Sequence, residues 1–233
     1  MLKNILAGAI LAGAGAGLVA SILQIVFVQP VLLHAELYES GVLQHFGSSS
    51  TVSADQPVAL FDLSRDGLTV AFNLLVYTGY ALILTAGMAL ANMRGASITA
   101  RQGLIWGACG FLAVQFAPGF SLAPEVPGVA VIDVQTRQLW WTLTVFAAAI
   151  AFWLVAFGRS WAGWGTAVVL LLLPHVIGAP EPEFFAGPAP TELGALFVSR
   201  AYGVGLASWV ALGGFAGYLF AHNPIGVRRA ASA

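Results

Sequence analysis

Residues 1–30, MLKNILAGAILAGAGAGLVASILQIVFVQP, decide how the chain is to be read. After Lys3 an uncharged apolar run extends from Ile5 to Val28, 24 residues. A secretory signal carries an apolar stretch of about 7–15 residues, whereas about 17–25 cross a bilayer core. The run is therefore read as a membrane helix. The whole chain agrees. It has 233 residues, 59% hydrophobic and 8% charged, with a mean hydropathy of +0.87. Soluble domains carry about 25% charged residues. This chain lacks the polar surface to cover a globule, so its solvent is lipid. A net charge of −1 without a basic stripe argues against nucleic acid as a partner. The single cysteine, Cys109, can form no internal disulfide and reads as a small buried hydrophobe.

Apolar stretches long enough to span recur at 5–28, 67–91, 103–119, 139–157, 161–177 and 193–221. Polar–apolar alternation is absent, which argues against a β-barrel. Helices satisfy their own backbone groups in lipid. The expectation is an all-α polytopic membrane protein, one integral membrane domain over 1–233, with six spans; 103–119 and 161–177 sit at the short limit.

The charges support this count. Six spans place the N-terminus, the 92–102 loop, the 158–160 turn and the C-terminus on one side, with Lys3, Arg94, Arg101, Arg159, Arg228 and Arg229 and no acid. The other side receives all 10 acids, Glu36, Glu39, Asp55, Asp62, Asp66, Glu125, Asp133, Glu181, Glu183 and Glu192, joined by Arg65, Arg137 and Arg200. Six of 9 basic residues thus lie on the acid-free side, which puts both termini in the cytoplasm. Five spans would scramble this sorting. The long 29–66 loop, with the polar tip HFGSSSTVSADQP, reads as an ordinary flexible connection.

Small residues recur at helix-packing spacing: Gly13 and Gly17, Gly103 and Gly107, Gly213 and Gly217. The first pair is no dinucleotide loop, because the spacing differs and no strand precedes it. No Walker A sequence is present. Trp106, Trp140, Trp141, Trp161 and Trp164 fall near span ends, as interfacial anchors do.

Two proline-rich boundaries echo each other. In FAPGFSLAPEVPG (116–128), Pro118 precedes Pro124-Glu125; in LLLPHVIGAPEPEFF (171–185), Pro174 precedes Pro180-Glu181 at the same spacing. This suggests repeated helical hairpins of like orientation, with a chance match at a Pro-rich boundary as the alternative. A third copy, QPVLLHAELYE (29–39), shares a proline and acids but not the spacing. Proline frees the carbonyl four residues earlier, Val114 and Leu170 here. Such breaks line transport sites in some membrane proteins and merely end helices in others.

Polar residues near the acidic face carry the chemistry. If 29–39 is helical, Glu36 and Glu39 share one face and His34 and Tyr38 another; if irregular, His34 and Glu36 can converge. Imidazole with carboxylate suits a borderline divalent transition ion, and a solvated interfacial turn is the bland alternative. Asn73, Gln24, Gln29 and Gln115 read as helix glue. Arg200 needs water or a carboxylate such as Glu125 or Glu181, in a gating or a structural ion pair. His45 and His222 read as incidental. An acidic outer vestibule concentrates cations. A divalent cation gains about 4.6 kcal/mol per 100 mV moving inward, twice the value of about 2.3 for one charge. Nothing in these residues indicates an enzyme or names a metal.

The stretches LAGAILAGAGAGLVASILQIVFVQPVLLHAELYE, APGFSLAPEVPG and LLPHVIGAPEPE together resemble the CbtA family of probable cobalt transporter subunits, over nearly the whole chain. The resemblance implies a multi-pass protein of the bacterial inner membrane and cobalt uptake linked to cobalamin synthesis. It also implies a small one-helix, His-rich CbtB-type partner. Such proteins are described with about five spans, which puts 161–177 in question. Matching positions are His34, Glu36, Pro118, Pro124, Glu125, His175, Pro180 and Glu181. The expectation is that His34, Glu36 and His175 capture Co2+ (or Ni2+ or Zn2+) and that Glu125 and Glu181 form the funnel. The alternatives are a non-conducting scaffold subunit and a haem-binding protein using His34 and His175.

Overall fold

A computed structural model of the chain describes residues 2–45, 61–130 and 132–222. Among them all regular structure is helical: α1 (Leu2–Leu23), α2 (Gln29–Glu39), α3 (Leu63–Met93), α4 (Ala100–Phe111), α5 (Ala117–Ser121), α6 (Val134–Phe157), α7 (Trp161–Ile177) and α8 (Thr191–Ala221). Two π-helical segments, Gln24–Val28 and Leu112–Phe116, join α1 to α2 and α4 to α5. Five helices are long and apolar enough to cross a membrane: Lys3–Glu39, Leu63–Met93, Ala100–Ser121, Val134–Phe157 and Thr191–Ala221. The protein is thus a polytopic membrane protein. The sixth, α7, has 17 residues. At 1.5 Å per residue it is about 26 Å long, just short of a hydrocarbon core of about 30 Å.

The first span runs further than the sequence suggests. Instead of stopping near Val28 it continues through Pro30 to Glu39. Both π segments explain how a proline can sit inside a spanning helix. Val28 is followed by Gln29-Pro30, and Phe116 by Ala117-Pro118, so each π segment ends two residues before a proline. A proline cannot donate to the carbonyl four residues back. Widening to π bonding lets a later amide take up freed carbonyls. The structural echo of the third span is therefore the first, the copy whose sequence match was weakest. In α7, Pro174 sits within an uninterrupted α-helix that closes at Gly178 (φ 96°), whose N–H bonds Pro174 O at 3.1 Å.

Helix starts follow their local chemistry. Thr99 and Gln102 form a reciprocal capping box at α4: Thr99 N donates to Gln102 Oε1 at 2.9 Å and Gln102 N to Thr99 Oγ1 at 3.3 Å. Asp62 caps α3 through Arg65 N at 2.8 Å, and Ser160 caps α7 through Gly163 N at 3.1 Å.

The chain forms two compact units: Met1–Ile25, Phe61–Phe111 and Val204–Ala233 make the first, Val26–Leu60 and Leu112–Gly203 the second, so that the breaks after Ile25, Phe111 and Gly203 fall within continuous helical stretches. In the first, small residues bring backbones together. A Cβ on Gly17 would lie 2.9 Å from Leu74 Cα, and one on Gly13 would overlap Thr78 Cα. A Cβ on Gly103 would overlap the Gly213 carbonyl and lie 2.9 Å from Gly217 Cα. Asn73 Nδ2 donates to Gln24 Oε1 at 3.0 Å, the amide glue between α1 or its π extension and α3. Cys109 is half-buried rather than fully enclosed. In the second unit α6 packs on α7, with Thr144, Ala148 and Ala151 buried on one and Ala167 on the other. Apolar side chains such as Ile83 (73% exposed) and Val176 (81%) face outward, as a lipid solvent permits. The polar tip at 46–57, with Asp55, and Arg228 and Arg229 lie outside the described residues.

Gly103→Ala lowers thermal stability in detergent by about 1–3 kcal/mol, because the new methyl meets backbone that cannot move aside. Gly79→Ala, in open space within α3, raises it by about 0.5–1 kcal/mol. In a Cys109→Ala background, Ser160→Cys and Glu183→Cys label from opposite sides of the membrane with impermeant thiol reagents. Labelling from one side would show that α7 does not cross.

Candidate functional site

The second unit brings the two echoed boundaries together. Ala130 N–H donates to Ala186 O at 3.0 Å, so the loop after α5 and the loop after α7 are bonded to each other. Gly128, at φ 83°, sits where a Cβ would lie 3.0 Å from Pro188 and 3.3 Å from Glu39 Cβ. Glycine there serves both the positive φ and the close approach. The C-terminal end of α2, at Glu39, thus approaches the same loops.

His175 lies one residue beyond Pro174 in the last turn of α7, half-buried. Its Nδ1 lies 2.8 Å from Ser121 Oγ at the end of α5. Phe120 and Trp140 approach the ring edge-on, with centroids at 5.3 and 6.0 Å. A hydroxyl therefore holds one imidazole nitrogen and two aromatic rings limit the tilt, leaving Nε2 as the nitrogen with coordination capacity. A ligating histidine characteristically uses its other nitrogen in this way.

The remaining candidates are placed as follows. The segment 29–39 is helical, so His34 stacks on Tyr38 (5.6 Å, 24°) one turn away. Glu36 is exposed, two positions from His34 and on a different face. The irregular alternative, in which His34 and Glu36 converge, is not what the chain adopts. Glu125 Oε2 accepts from Arg137 Nη1 at 2.6 Å, an ion pair about one-third exposed on each side. Glu181 is exposed. Among the described residues no three of His, Cys, Asp and Glu converge on one point.

Among the described residues Arg200 makes a contact other than the expected ion pair. Its Nη1 donates to the carbonyl of Phe27 at 3.1 Å, inside the π segment Gln24–Val28. Glu125, one of the carboxylates expected to pair with it, is paired with Arg137 instead. A carbonyl near a helix defect carries unspent acceptor capacity, and a guanidinium with five donors can use it at membrane depth.

Sequence reasoning missed Ser121, Phe120 and Trp140 around His175, and Arg137 beside Glu125. Ser121 and Phe120 stand in the quoted APGFS stretch, yet no spacing rule says which of its residues faces a helix 54 positions away. Asp133 caps α6 through Thr136, accepting from N at 2.8 Å and from Oγ1 at 2.8 Å. These bonds hold its carboxyl below the ordinary aspartate range.

A family model described as "CbtA: Probable cobalt transporter subunit (CbtA)" matches residues 2–221. Neither a search of curated proteins nor one of solved structures returns a match.

A depressed aspartate pKa adds stability that is present above the unfolded pKa and lost as pH falls through the folded one. Asp133→Ala therefore lowers the melting temperature at neutral pH. The gap to wild type closes as pH drops through and below the aspartate range, near and under 3.8. A gap that persists in acid would show that the cap acts through packing.

Proposed function

Because the chain belongs to the CbtA family of probable cobalt transporter subunits, we propose that it admits a divalent transition-metal ion, cobalt first, through the corner where its two Pro-Glu loops meet. The observation that carries this reading is His175, held through Nδ1 by Ser121 in the unit whose two Pro-Glu loops are bonded to each other. Glu36, Glu125 and Glu181 supply the attracting field, and His34 and His175 supply nitrogen ligands. The function is translocation rather than catalysis.

The candidate ligands are dispersed, and that suits passage better than storage. A conducting site must bind well enough to admit an ion and weakly enough to release it. A closed cage of three or four ligands would retain cobalt. Single stations with partial water shells hand it on. Nitrogen and oxygen donors of this type also admit Ni2+ and Zn2+, and the series of affinities alone does not separate them. The negative interior of the cell supplies the pull: about 4.6 kcal/mol per 100 mV for two charges. The word "subunit" in the family's description implies an assembly. A small one-helix partner with a His-rich end, acting in the bacterial inner membrane, completes the proposal.

The test is uptake of labelled cobalt at limiting concentration in cells expressing the protein with its partner. His34→Ala with His175→Ala reduces the initial rate at least tenfold, while the protein remains in the membrane at wild-type level. Ser121→Ala shifts the half-saturating concentration upward and leaves the maximal rate nearly intact, because it frees the ring without removing it. Wild-type uptake by the double variant would sink the site assignment and favour a non-conducting scaffold.

A further inference from the structure

Within the first unit, α3 and Gln24, the residue that follows α1, frame an open groove of about 560 Å3. Its apolar walls are Leu68, Ala71, Phe72 and Leu75, and its polar lining is Gln24, Thr69 and Asn73. Leu68, Phe72 and Leu75 are 70%, 66% and 71% exposed, so the groove opens outward along a spanning helix.

The polar lining is only partly satisfied. Thr69 Oγ1 turns back to Arg65 O at 3.0 Å. Asn73, 9% exposed, gives one amide hydrogen to Gln24 Oε1 at 3.0 Å. Among the described residues neither amide side chain makes a further hydrogen bond. Each amide carries two donor hydrogens and an acceptor oxygen. Both hydrogens of Gln24 Nε2, the second hydrogen of Asn73 Nδ2 and the oxygen Asn73 Oδ1 therefore keep their capacity. In hydrocarbon such groups are costly to leave bare.

The same face offers close approach. Gly67, Ala71, Leu75 and Gly79 succeed each other at four-residue intervals and form one ridge of α3. Ala71 is exposed, and a Cβ on Gly67 or on Gly79 would meet nothing within 4 Å. Elsewhere in this unit glycines at that spacing are used within the chain: Gly13 and Gly17 lie against α3, and Gly103 lies against α8. Gly67 and Ala71 have the spacing without the neighbour.

We infer that this groove seats a transmembrane helix of a second subunit. That helix sets a small residue against Gly67 and Ala71 and a hydrogen-bonding side chain against the Gln24–Asn73 pair. A lipid tail fills apolar space but gives an amide nothing to bond. A helix with a small residue and a polar one supplies both the close backbone approach and the missing partner. The family description makes the chain a subunit, which implies a further chain to bind. The inference rests on the partner proposed above and adds where that partner docks.

The experiment is site-specific photo-cross-linking in cells that make the chain together with its partner. p-Benzoylphenylalanine is placed at Phe72 or Leu75 and, as controls, at Phe146 of α6 or Val169 of α7, which are also exposed apolar positions. Phe72 and Leu75 give an adduct with the partner at least tenfold stronger than the controls do. Equal yields or no adduct overturn the inference. So does an adduct only with a lipid, with a second copy of the chain or with the chain's own residues 46–60. Ala71→Trp provides a second reading, because it fills the groove from an exposed position. It lowers the partner recovered with the purified chain at least tenfold, whereas Phe146→Trp leaves recovery unchanged. Wild-type recovery with Ala71→Trp overturns the docking site. Cobalt uptake is scored separately. Adducts at Phe72 in cells without uptake would refute the transport reading alone, and uptake without adducts would refute the docking site alone.

Discussion

A free carbonyl inside a bilayer has no water to turn to. That single constraint organises this protein, because the chain repeatedly places proline inside its spans. Pro30, Pro118 and Pro174 each withhold one donor from a helix that must satisfy itself. Two of the three breaks are absorbed by widening the preceding turn into a π segment, at Gln24–Val28 and at Leu112–Phe116. At the first of these Arg200 adds a donor from α8 to the Phe27 carbonyl. The third stays α-helical and ends one turn later at a glycine.

The two compact units solve different problems with different residues. The first unit is held by close backbone approach. Gly13, Gly17, Gly103, Gly107, Gly213 and Gly217 let helices meet where any side chain would collide. Lipid offers no hydrophobic drive between helices, so contact area and dispersion must do what burial does in water. The second unit uses polar contacts at its loops: Ala130 to Ala186, Glu125 to Arg137, His175 to Ser121. Those contacts bring into one corner residues that are far apart in the chain, and they carry the proposed capture of the ion.

The candidate site was legible in kind but not in arrangement. Histidine and carboxylate at the ends of apolar runs stand out against a chain with 8% charged residues, so His34, Glu36, Glu125, His175 and Glu181 could be named. Their partners could not. Glu125 and Arg137 are twelve positions apart, across a loop whose path depends on its docking against residues 186–188. Arg200 was expected to seek a carboxylate, the stronger partner in general. The carbonyl it meets lies inside a π segment, and a π segment leaves no compositional mark beyond the proline that follows it.

Membrane character, helical class, the approximate spans and the glycine contacts follow from the sequence alone. They depend on local quantities: the length of an apolar run against bilayer thickness, the absence of a side chain, the missing N–H of proline. The tertiary structure decided the rest. It carried the first helix past Pro30 to Glu39, split His34 from Glu36, and paired Glu125 with Arg137. Those outcomes turn on which faces meet across tens or hundreds of residues, and a hydrogen bond of about 3 Å is satisfied or missed by shifts far smaller than any sequence pattern resolves.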